Sequence, residues 1–365
     1  MRKTTLQIST GALEHNARTL RAALPEKVRM MAVVKADAYG HGLAQAGRAF
    51  LQGGAWGLAV AIVDEAAALR REGMDCPVLI LGGTDRDSLE EAVLADASPA
   101  VFSPGMLRDL QAAAVRLGRR ARAHLKIDTG MSRIGVREEA GLEEMLDTWR
   151  ACPMVEMEGI FTHFCVSETD EEFTNLQNRR FCQAVNRARQ AGFAPIAHAA
   201  ATGAFENPAY QHDMVRPGLA MYGLGAKTPG LKLAQRLVTR PVRLQKIHRG
   251  DTVSYGRTFR AERETTVMTV PIGYGDGYPR LFSNRACALV EGKRAPQIGR
   301  VCMDMTMFDV TGIPGVSMDS EVTLMGPQGE DCLSPEELAG WAETIPYEIM
   351  LGFSARVHRQ WRQDI

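Results

Sequence analysis

Residues 31–42, MAVVKADAYGHG, decide the fold because they join a short apolar run to a lysine and a glycine-containing turn. The run MAVV has the composition of a buried strand, and Lys35 stands at its end. A lysine that enters a core costs several kcal/mol unless it is paired, neutral or covalently used. Lys35 therefore needs a chemical reason to be there.

The pattern of a short apolar run followed by a helical stretch repeats to about residue 225. Amphipathic stretches rich in helix formers, such as 64–73 and 171–192, separate the runs. The runs are MAVVKA (31–36), WGLAVA (56–61), VLILGG (78–83), SPAVFS (98–103), AHLKID (123–128), EGIFTHF (158–164), PIAHAA (195–200) and GLAMYGL (218–224). About eight strand–helix units in about 225 residues predict a (β/α)8 barrel. A doubly wound sheet is the alternative, although it often has a GxGxxG turn, which VVKADAYGHG lacks.

Beyond about residue 235 the pattern changes to runs that alternate over two residues and are broken by glycine, proline or aspartate. Examples are RPVRLQKI, TTVMTVPIGYG, ACALVEG and EVTLMG. This alternation predicts a compact β domain. Near the C-terminus, Ser334 and Pro335 predict the N-cap and first residue of a helix. We therefore predict a barrel domain over 1–235 and a mainly β domain over 236–365.

Composition and charge narrow the class of partner. The 365 residues include 43 basic and 43 acidic ones without a run of five like charges, so we predict no nucleic-acid or anionic-membrane partner. Seven cysteines without C-x-x-C spacing predict reduced cytoplasmic thiols and no disulfide framework. No apolar stretch reaches about 18 residues, and the N-terminus lacks the apolar segment of a signal peptide. We expect a soluble cytoplasmic protein with a small-molecule partner and no metal site.

Polar residues concentrate where the predicted barrel strands end, which is where active sites of such barrels lie. They are Lys35, Asp128–Gly130 with Arg133, His163, Thr202, and Arg216 just before the predicted eighth strand. Together they indicate a site for an anionic ligand, with Lys35 available for a Schiff base. Taken singly, each has an ordinary alternative, since a lone histidine is more often a satisfied core residue and a lone arginine a surface ion pair.

Seven motifs make the chain resemble the bacterial alanine racemases. AVVKADAYGHG is similar to that family's pyridoxal phosphate attachment motif, and HLKIDTGMSRIG, GIFTHF, MVRPGLAMYG, SYGRTF, PIGYGDGY and GRVCMDM resemble its further motifs in the same order. One short motif would be weak evidence, whereas seven across both domains are specific. The resemblance implies a fold-type III enzyme whose barrel binds pyridoxal 5′-phosphate and whose β domain covers the neighbouring subunit's site in a homodimer.

The resemblance also implies two bases, because racemisation removes a proton from one face of Cα and adds one to the other. Lys35, which would carry the cofactor, serves one face. Tyr255, in VSYGRTF, matches the second base and would come from the other subunit. Since a tyrosine with its usual pKa of about 10 is a poor base, we expect nearby positive charge to lower that pKa. Without the SYGRTF match, Tyr255 would be interpreted as an ordinary aromatic residue in a β turn.

Cofactor-binding roles follow from the same resemblance. Arg216 would face the pyridine nitrogen and leave it largely unprotonated, because a guanidinium keeps its proton. This limits electron withdrawal and disfavours side reactions, and His163 would orient Arg216. The positions that match the phosphate site are Tyr39, Thr202, Gly218 and Leu219, with the family usually carrying serine where Thr202 stands here.

Substrate-binding roles are implied at two further positions. Arg133 would grip the substrate carboxylate through its planar fork, and Met303 would add a backbone N–H from the second subunit. Lys126 falls where many members carry a carbamylated lysine that positions this arginine. Residues that match the family's entryway and supporting positions are Tyr274, Arg280 and Asp304.

The match departs from the family near the C-terminus, in IPYEIMLGFSARVHR. Ala355 falls where some members carry a tyrosine that narrows the pocket, so serine racemisation becomes an alternative to alanine. We predict an alanine racemase that supplies D-alanine for peptidoglycan, since a pocket that merely admits a hydroxyl discriminates weakly. Two further candidates are a fold-type III decarboxylase, which usually places a carboxylate where Arg216 stands, and a small pyridoxal phosphate carrier protein, which lacks a C-terminal domain.

Overall fold

A computed structural model describes residues 3–365 of the chain. The first ten strands are β1 (Thr5–Ser9), β2 (Arg29–Val33), β3 (Gly57–Val60), β4 (Val78–Ile80), β5 (Ser98–Val101), β6 (Ala121–Lys126), β7 (Val155–Phe161), β8 (Ile196–His198), β9 (Met214–Val215) and β10 (Gln235–Thr239). The later strands are β11 (Arg243–Ile247), β12 (Thr252–Val253), β13 (Phe259–Arg260), β14 (Thr265–Val270), β15 (Cys287–Val290), β16 (Lys293–Pro296), β17 (Thr306–Asp309), β18 (Val322–Gln328), β19 (Asp331–Leu333) and β20 (His358–Arg362). The helices are α1 (Thr10–Ala22), α2 (Lys35–Gly40), α3 (Leu43–Gln52), α4 (Val63–Arg71), α5 (Leu89–Leu94), α6 (Pro104–Leu117), α7 (Glu139–Arg150), α8 (Glu171–Gln190), α9 (Pro208–Gln211), α10 (Pro335–Ala342) and α11 (Pro346–Leu351).

Within residues 3–365, eight parallel strands close a barrel. β2 to β9 pair in sequence order, and β9 returns to pair with β2. Most side chains on these strands are buried, as at Ala32, Leu58 and Ile160. Burial on both faces explains why the strands appear in the sequence as short continuous apolar runs. The predicted (β/α)8 barrel followed by a mainly β region is confirmed.

The helices around the barrel begin and end where local signals place them. The predicted helical stretch 171–192 is α8, and the Asp170 side chain caps it by accepting the N–H of Phe173 at 2.9 Å. Its buried residues recur every three or four positions, as at Phe181, Ala184 and Ala188. In the part of the chain that the structure describes, no helix has both the length and the apolar composition that crossing a bilayer requires.

The predicted eighth strand at 218–224 is wrong. The last barrel strand is the two-residue β9, and Leu219–Tyr222 forms a 3₁₀ turn that ends at Gly223 with φ 94°. A short buried apolar run cannot be assigned to strand or helix from periodicity alone, and Pro217 has no N–H with which to continue a ladder. Arg216 consequently follows the eighth strand, as the other site residues of the barrel follow theirs.

The chain divides into two compact units. One contains 12–38 and 42–232, and the other contains the described residues through Gly11, Tyr39–His41 and Leu233–Ile365. In the latter unit, a sheet runs in the order β16-β15-β18-β10-β1-β20, with β19 paired to β18. β1, the first strand of the chain, pairs antiparallel with β10 and parallel with β20, a long-range pairing that the sequence pattern does not reveal.

A second sheet of this β-rich unit has the order β11-β14-β17. It packs on a small core of Val253, Val267, Ile298 and Met307. Along β14, Val267 and Met268 are both buried, while Thr266 and Thr269 are only partly buried. The burial of this strand therefore departs from the strict two-residue period by which the sequence predicts a half-buried strand.

Ser334→Ala should lower the free energy of unfolding by about 1 kcal/mol. The Ser334 side chain accepts the N–H of Glu337 at 3.2 Å, which confirms the predicted N-cap, and alanine would leave that N–H without its acceptor. Urea unfolding of both proteins measures the change. Ser88 stands at the equivalent position before α5 without a side-chain cap bond, so Ser88→Ala is the control. Equal losses in the two variants would contradict the capping role.

Candidate functional site

The segment after Lys35 forms a left-handed helical turn. Ala36, Asp37, Ala38 and Tyr39 have φ values of 53–54°, and Gly40 has φ 80°. For residues with a Cβ this conformation costs roughly 1–2 kcal/mol each, and runs of it are rare. The surrounding structure must therefore hold the turn, and the turn sets the direction in which Lys35 leaves the barrel strand.

The Glu65 carboxylate is the main support of this turn. One oxygen accepts the N–H of Ala36 at 2.5 Å, and the other accepts the N–H of Ala61 at 2.8 Å. A second carboxylate, on Asp37, accepts the N–H of Leu43 at 2.8 Å. Hydrogen bonds to ionised acceptors are stronger than neutral ones, so Glu65 ties the residue after Lys35 to the end of the neighbouring barrel strand.

Lys35 itself is half-buried at the C-terminal end of the barrel. Burial lowers the pKa of its amine, the charge of Arg133 lowers it further, and the Glu65 carboxylate opposes both effects. Because the charge of Arg133 acts on Lys35, and Arg133 follows β6, Lys35 and Arg133 lie at the same mouth of the barrel. A lysine with a lowered pKa has more of the neutral amine that acts as a nucleophile.

Lys126 ends β6 and is buried beside the same mouth. Its ammonium group donates to the carbonyl of Ile127 at 3.0 Å and lies 5.1 Å from the ring centre of Phe161. Burial, followed by the charge of Arg216, lowers the pKa of Lys126 to about 7. The amine is therefore partly neutral at physiological pH.

The loop that carries Arg133 is shaped by Asp128. One oxygen of its carboxylate accepts the N–H groups of Gly130, at 2.9 Å, and Ser132, at 3.0 Å. Although burial acts to raise the pKa of Asp128, these backbone donors lower it overall. Arg133 is exposed, so its fork is available to a ligand.

Arg216 is buried directly after the last barrel strand. Its guanidinium donates to Nδ1 of His198 at 2.5 Å, to the carbonyl of Thr162 at 2.7 Å and to the carbonyl of Ala199 at 3.0 Å. Burial lowers the pKa of Arg216 to about 9, so the group is still protonated at neutral pH. The expectation that His163 orients Arg216 is wrong, because the hydrogen-bonded histidine is His198, on the strand paired with β9.

His163 lies beyond the end of β7, closer to the mouth, and is partly buried. Burial lowers its pKa to about 3, with a further contribution from nearby cations, which are Arg216, Lys126, Arg133 and Lys35 in decreasing order. The imidazole is therefore neutral at physiological pH. Since all four cations act on one ring, the structure brings these predicted site residues of the barrel together.

Thr202 and the Gly218 segment form the remaining barrel part of the site. The Thr202 hydroxyl oxygen accepts the N–H groups of Gly218 and Ala220, each at 3.2 Å. A hydroxyl has two acceptor positions and one hydrogen, so the hydrogen of Thr202 is left to donate to a ligand. Leu219, which follows Gly218, begins the buried 3₁₀ turn.

In the β-rich unit, three predicted residues come from turns that meet at Cys302. The Ser254 hydroxyl, next to Tyr255, lies 3.3 Å from the Cys302 sulfur, and the N–H of Tyr274 donates to the Cys302 carbonyl at 3.0 Å. Met303 follows directly. The side chains of Tyr255, Tyr274 and Met303 are 72%, 43% and 52% exposed, which makes this a partly apolar surface.

The other predicted residues of this unit have separate surroundings. Asp304 pairs with Arg356 at 2.6 Å, and the same arginine lies 3.3 Å from the buried Asp276. Arg280 is exposed at the start of a 3₁₀ turn. Tyr39 is buried, with its ring centre 5.6 Å from that of Tyr347, and burial raises its pKa.

Sequence reasoning missed Glu65 and His198. The signal for His198 was present, because a histidine inside the apolar run PIAHAA must find a hydrogen-bond partner when the strand is buried. Glu65 carried no such signal, since a glutamate in the first turn of a helix is an ordinary helix-stabilising residue. Its role depends on a left-handed turn that the sequence does not predict.

Comparison with known proteins finds two family models that together cover most of the chain. The model described as "Alanine racemase, N-terminal domain" matches residues 8–226, and "Alanine racemase, C-terminal domain" matches residues 234–361. Among curated proteins, "Alanine racemase 2" of Oceanobacillus iheyensis is 40% identical, the match covering 98% of this chain and 93% of the relative. "Alanine racemase" of Sorangium cellulosum is 39% identical with both chains fully covered.

Solved structures give the same result. Alanine racemase from Streptomyces coelicolor has a TM-score of 0.94 at 32% identity, with 98% of each chain covered. Alanine racemase from Bacillus anthracis, solved with bound L-Ala-P, has a TM-score of 0.92 at 32% identity, with 99% of this chain and 95% of that one covered.

Glu65→Ala should lower the free energy of unfolding by about 1–3 kcal/mol, because two N–H groups lose a charged acceptor. Amide hydrogen exchange at Ala36 and Ala61 should accelerate, whereas Glu65→Gln, which keeps one carbonyl acceptor, should fall between. Asp64→Ala is the matched control, since Asp64 is an exposed carboxylate in the same turn of α4. Unchanged exchange at Ala36 would contradict the role of Glu65.

Raising the pH above 7 should stabilise this protein relative to Lys126→Met. The unfolded chain keeps the Lys126 proton to about pH 10.5, whereas the folded protein releases it near 7. Between these values the unfolded state binds more protons, so the free energy of unfolding rises with pH. The expected difference between the two proteins is up to about 1.4 kcal/mol per pH unit.

Urea unfolding of both proteins from pH 6 to 9 in carbon dioxide-free buffer measures the difference in their free energies of unfolding. The difference is used because other groups titrate in both proteins and cancel. Below about pH 7 both states keep the proton and the difference should level off. Parallel pH profiles throughout would show that Lys126 titrates normally.

Proposed function

The chain belongs to the alanine racemase family, and we propose that it interconverts L-alanine and D-alanine with pyridoxal 5′-phosphate attached to Lys35. The protein is an amino acid racemase, and its relatives favour alanine over serine. The observation that carries the site assignment is the convergence of Lys35, Arg133 and Arg216 around the neutral His163. Together these residues match an anionic cofactor and a substrate carboxylate.

The residues present fit the cofactor. Lys35 has the lowered pKa that covalent attachment requires, and the Thr202 hydroxyl keeps a hydrogen for a phosphate oxygen. Tyr39 and the backbone at Gly218 and Leu219 are the further phosphate-binding residues that we propose. When bound, the cofactor withdraws electrons from the substrate and so weakens the Cα–H bond.

Arg216 would hold the pyridine nitrogen without protonating it. Its guanidinium is fixed by three acceptors and keeps its proton at neutral pH. A donor that does not transfer its proton leaves the ring a weaker electron acceptor, which favours prompt return of the proton to Cα over side reactions. A decarboxylase of this fold type usually has a carboxylate at this point, so Arg216 also supports racemisation.

Arg133 would bind the substrate carboxylate, because its fork is exposed at the mouth and suits bidentate pairing. Met303 would add its backbone N–H, with Tyr274, Arg280 and Asp304 as supporting residues. Carbamylation of Lys126 is supported by its low pKa, since the neutral amine is the form that reacts with carbon dioxide. The carbamate would be anionic and would attract the guanidinium of Arg133.

The two bases would be Nζ of Lys35 and Oη of Tyr255, one for each face of Cα. Each would accept the proton from one enantiomer and return it to the other. Tyr255 is 72% exposed, as expected of a residue that completes a site in a second subunit. We therefore propose a homodimer with shared sites, in which the barrel of 1–235 binds the cofactor and 236–365 reaches the partner.

Serine remains the second candidate substrate because of Ala355. This residue is exposed and has only a methyl side chain where some relatives carry a tyrosine. The relatives named alanine racemase make alanine the preferred substrate. Side-by-side rates on L-alanine and L-serine distinguish them.

We place the enzyme in the cytoplasm, where it would supply D-alanine for peptidoglycan. All seven cysteines lie within the described residues and are unpaired. Unpaired cysteines in this number are typical of a reducing compartment.

Lys35→Ala should abolish both the absorbance of the bound cofactor and racemisation, because it removes the attachment point and one base. Tyr255→Phe should keep the absorbance and lose interconversion in both directions. Circular dichroism of L-alanine and of D-alanine, with amino acid mass recorded, measures the reaction. Full activity of Tyr255→Phe would exclude the two-base assignment, and release of carbon dioxide would exclude a racemase.

A mixed dimer of these two variants tests the shared site. If Tyr255 acts across the interface, one site of the mixed dimer contains both an intact Lys35 and an intact Tyr255. Activity should then return on mixing two inactive proteins. Failure to recover activity in purified mixed dimers would show that both bases come from one chain.

A further inference from the structure

A row of hydrogen bonds leads from Arg216 into the interior of the barrel, away from the mouth. His198 accepts from Arg216 at Nδ1, and its Nε2 lies 2.8 Å from Nδ1 of His124. Nε2 of His124 lies 3.0 Å from a carboxylate oxygen of Glu158. Both histidines are fully buried, and the four side chains come from successive positions around β6, β7, β8 and the end of β9.

The barrel makes room for this row at one glycine. His124 is in register with Gly159 on the neighbouring strand, and a Cβ at Gly159 would overlap the His124 ring. On the other side, the Phe161 ring stacks parallel to His198 with 5.0 Å between the ring centres. The two imidazoles are therefore confined in position and orientation by packing.

Only one arrangement of hydrogens satisfies every bond in the row while both rings are neutral. Arg216 can only donate, so Nδ1 of His198 must accept and its Nε2 must carry the hydrogen. That hydrogen is donated to Nδ1 of His124, whose own hydrogen is then on Nε2. The Nε2 hydrogen of His124 is donated in turn to Glu158. Every hydrogen bond of the row is therefore donated in one direction, from the cation Arg216 toward the carboxylate of Glu158.

Glu158 is held as a carboxylate by its surroundings. The Ser98 hydroxyl donates to the oxygen that faces His124, at 2.5 Å, and an Arg122 nitrogen lies 3.8 Å from the other oxygen. Although burial acts to raise the pKa of Glu158, the hydrogen bonds from His124 and from the Ser98 hydroxyl, together with the charge of Arg122, lower it overall. The far end of the row is therefore negatively charged at neutral pH.

We propose that Glu158 is a positioning residue of the racemase site. Through His124 and His198 it sets the imidazole hydrogens so that Nδ1 of His198 always accepts from Arg216. This keeps the guanidinium fixed in the one orientation in which its remaining donor side faces the site. The proposal rests on the proposed role of Arg216 toward the cofactor.

Without the carboxylate the row loses its direction. His124 could then carry its hydrogen on Nδ1, facing His198, and His198 would have to turn its own hydrogen toward Arg216. Two donors would then face each other, and the guanidinium would lose one of its three acceptors. Arg216 would remain in place but would be less uniquely oriented.

The test uses the holoenzyme labelled with ¹⁵N in its histidine rings, with Glu158→Gln as the variant and Glu143→Gln as the matched control. Glu143→Gln also replaces a carboxylate by an amide, but in an ion pair with Arg187 that lies on two helices outside the barrel. Ring nitrogen shifts of His124 and His198, assigned by single replacement of each, report which nitrogen carries the hydrogen. Rates on both alanine enantiomers give kcat and KM.

In the wild type, both rings should be neutral with the hydrogen on Nε2. In Glu158→Gln, the two rings should show mixed tautomers, and kcat should fall about tenfold with KM little changed, because Arg133 still binds the carboxylate. Glu143→Gln should match the wild type in both measurements.

Three results would overturn the proposal. They are a charged or Nδ1–H histidine in the wild-type row, unchanged tautomers in Glu158→Gln, and a kcat of that variant equal to that of Glu143→Gln. The wild-type tautomers decide the matter even if Glu158→Gln does not fold. They also do not depend on turnover, so absence of racemisation in the wild type would refute the proposed function separately.

Discussion

The structure depends on holding a buried guanidinium at the end of a closed barrel. Arg216 is almost inaccessible to solvent, and an unpaired charge in such a place would be prohibitively costly. Two backbone carbonyls and Nδ1 of His198 satisfy it. After burial, its charge is the next cause of the lowered pKa values of Lys126 and His163. Burial and this cation together favour the neutral forms of Lys126 and His163.

A second constraint is the backbone around Lys35. Four consecutive non-glycine residues in the left-handed region are unfavourable, and the conformation persists only where other groups determine it. Glu65 supplies that determination by accepting N–H groups from two adjacent barrel segments. The carboxylate also offsets part of the loss of charge on Lys35, so the same group shapes the turn and moderates the reactivity of the amine.

The fold could be predicted because the barrel repeats one pattern many times. Seven of the eight predicted strands overlap a barrel strand, and the error fell on the run 218–224, where a buried turn is as apolar as a strand. The predicted strand put Arg216 before its strand, which is the end of a barrel opposite to the mouth. In the structure Arg216 follows β9, and this is what brings it to the same end of the barrel as the other site residues. The sequence interpretation assigned the contact with Arg216 to His163, whereas His198 makes it. Both histidines stand near strand ends, and the sequence does not show which one lies beside Arg216. The pairing of β8 with β9 brings His198 there.

The sequence by itself determined the chemistry that this chain carries and the architecture that presents it. Lys35, Arg133, Arg216 and Tyr255 stand in motifs that resemble those of the alanine racemase family, and the alternation of apolar runs and helices predicts the barrel. The tertiary structure alone decided how those groups are held. Glu65, His198, His124 and Glu158 gain their roles from contacts between segments far apart in the chain, and hydrogen-bond direction and desolvation depend on those contacts. Local residue preferences contain no information about such contacts, which is why the supporting residues became visible only in the folded protein.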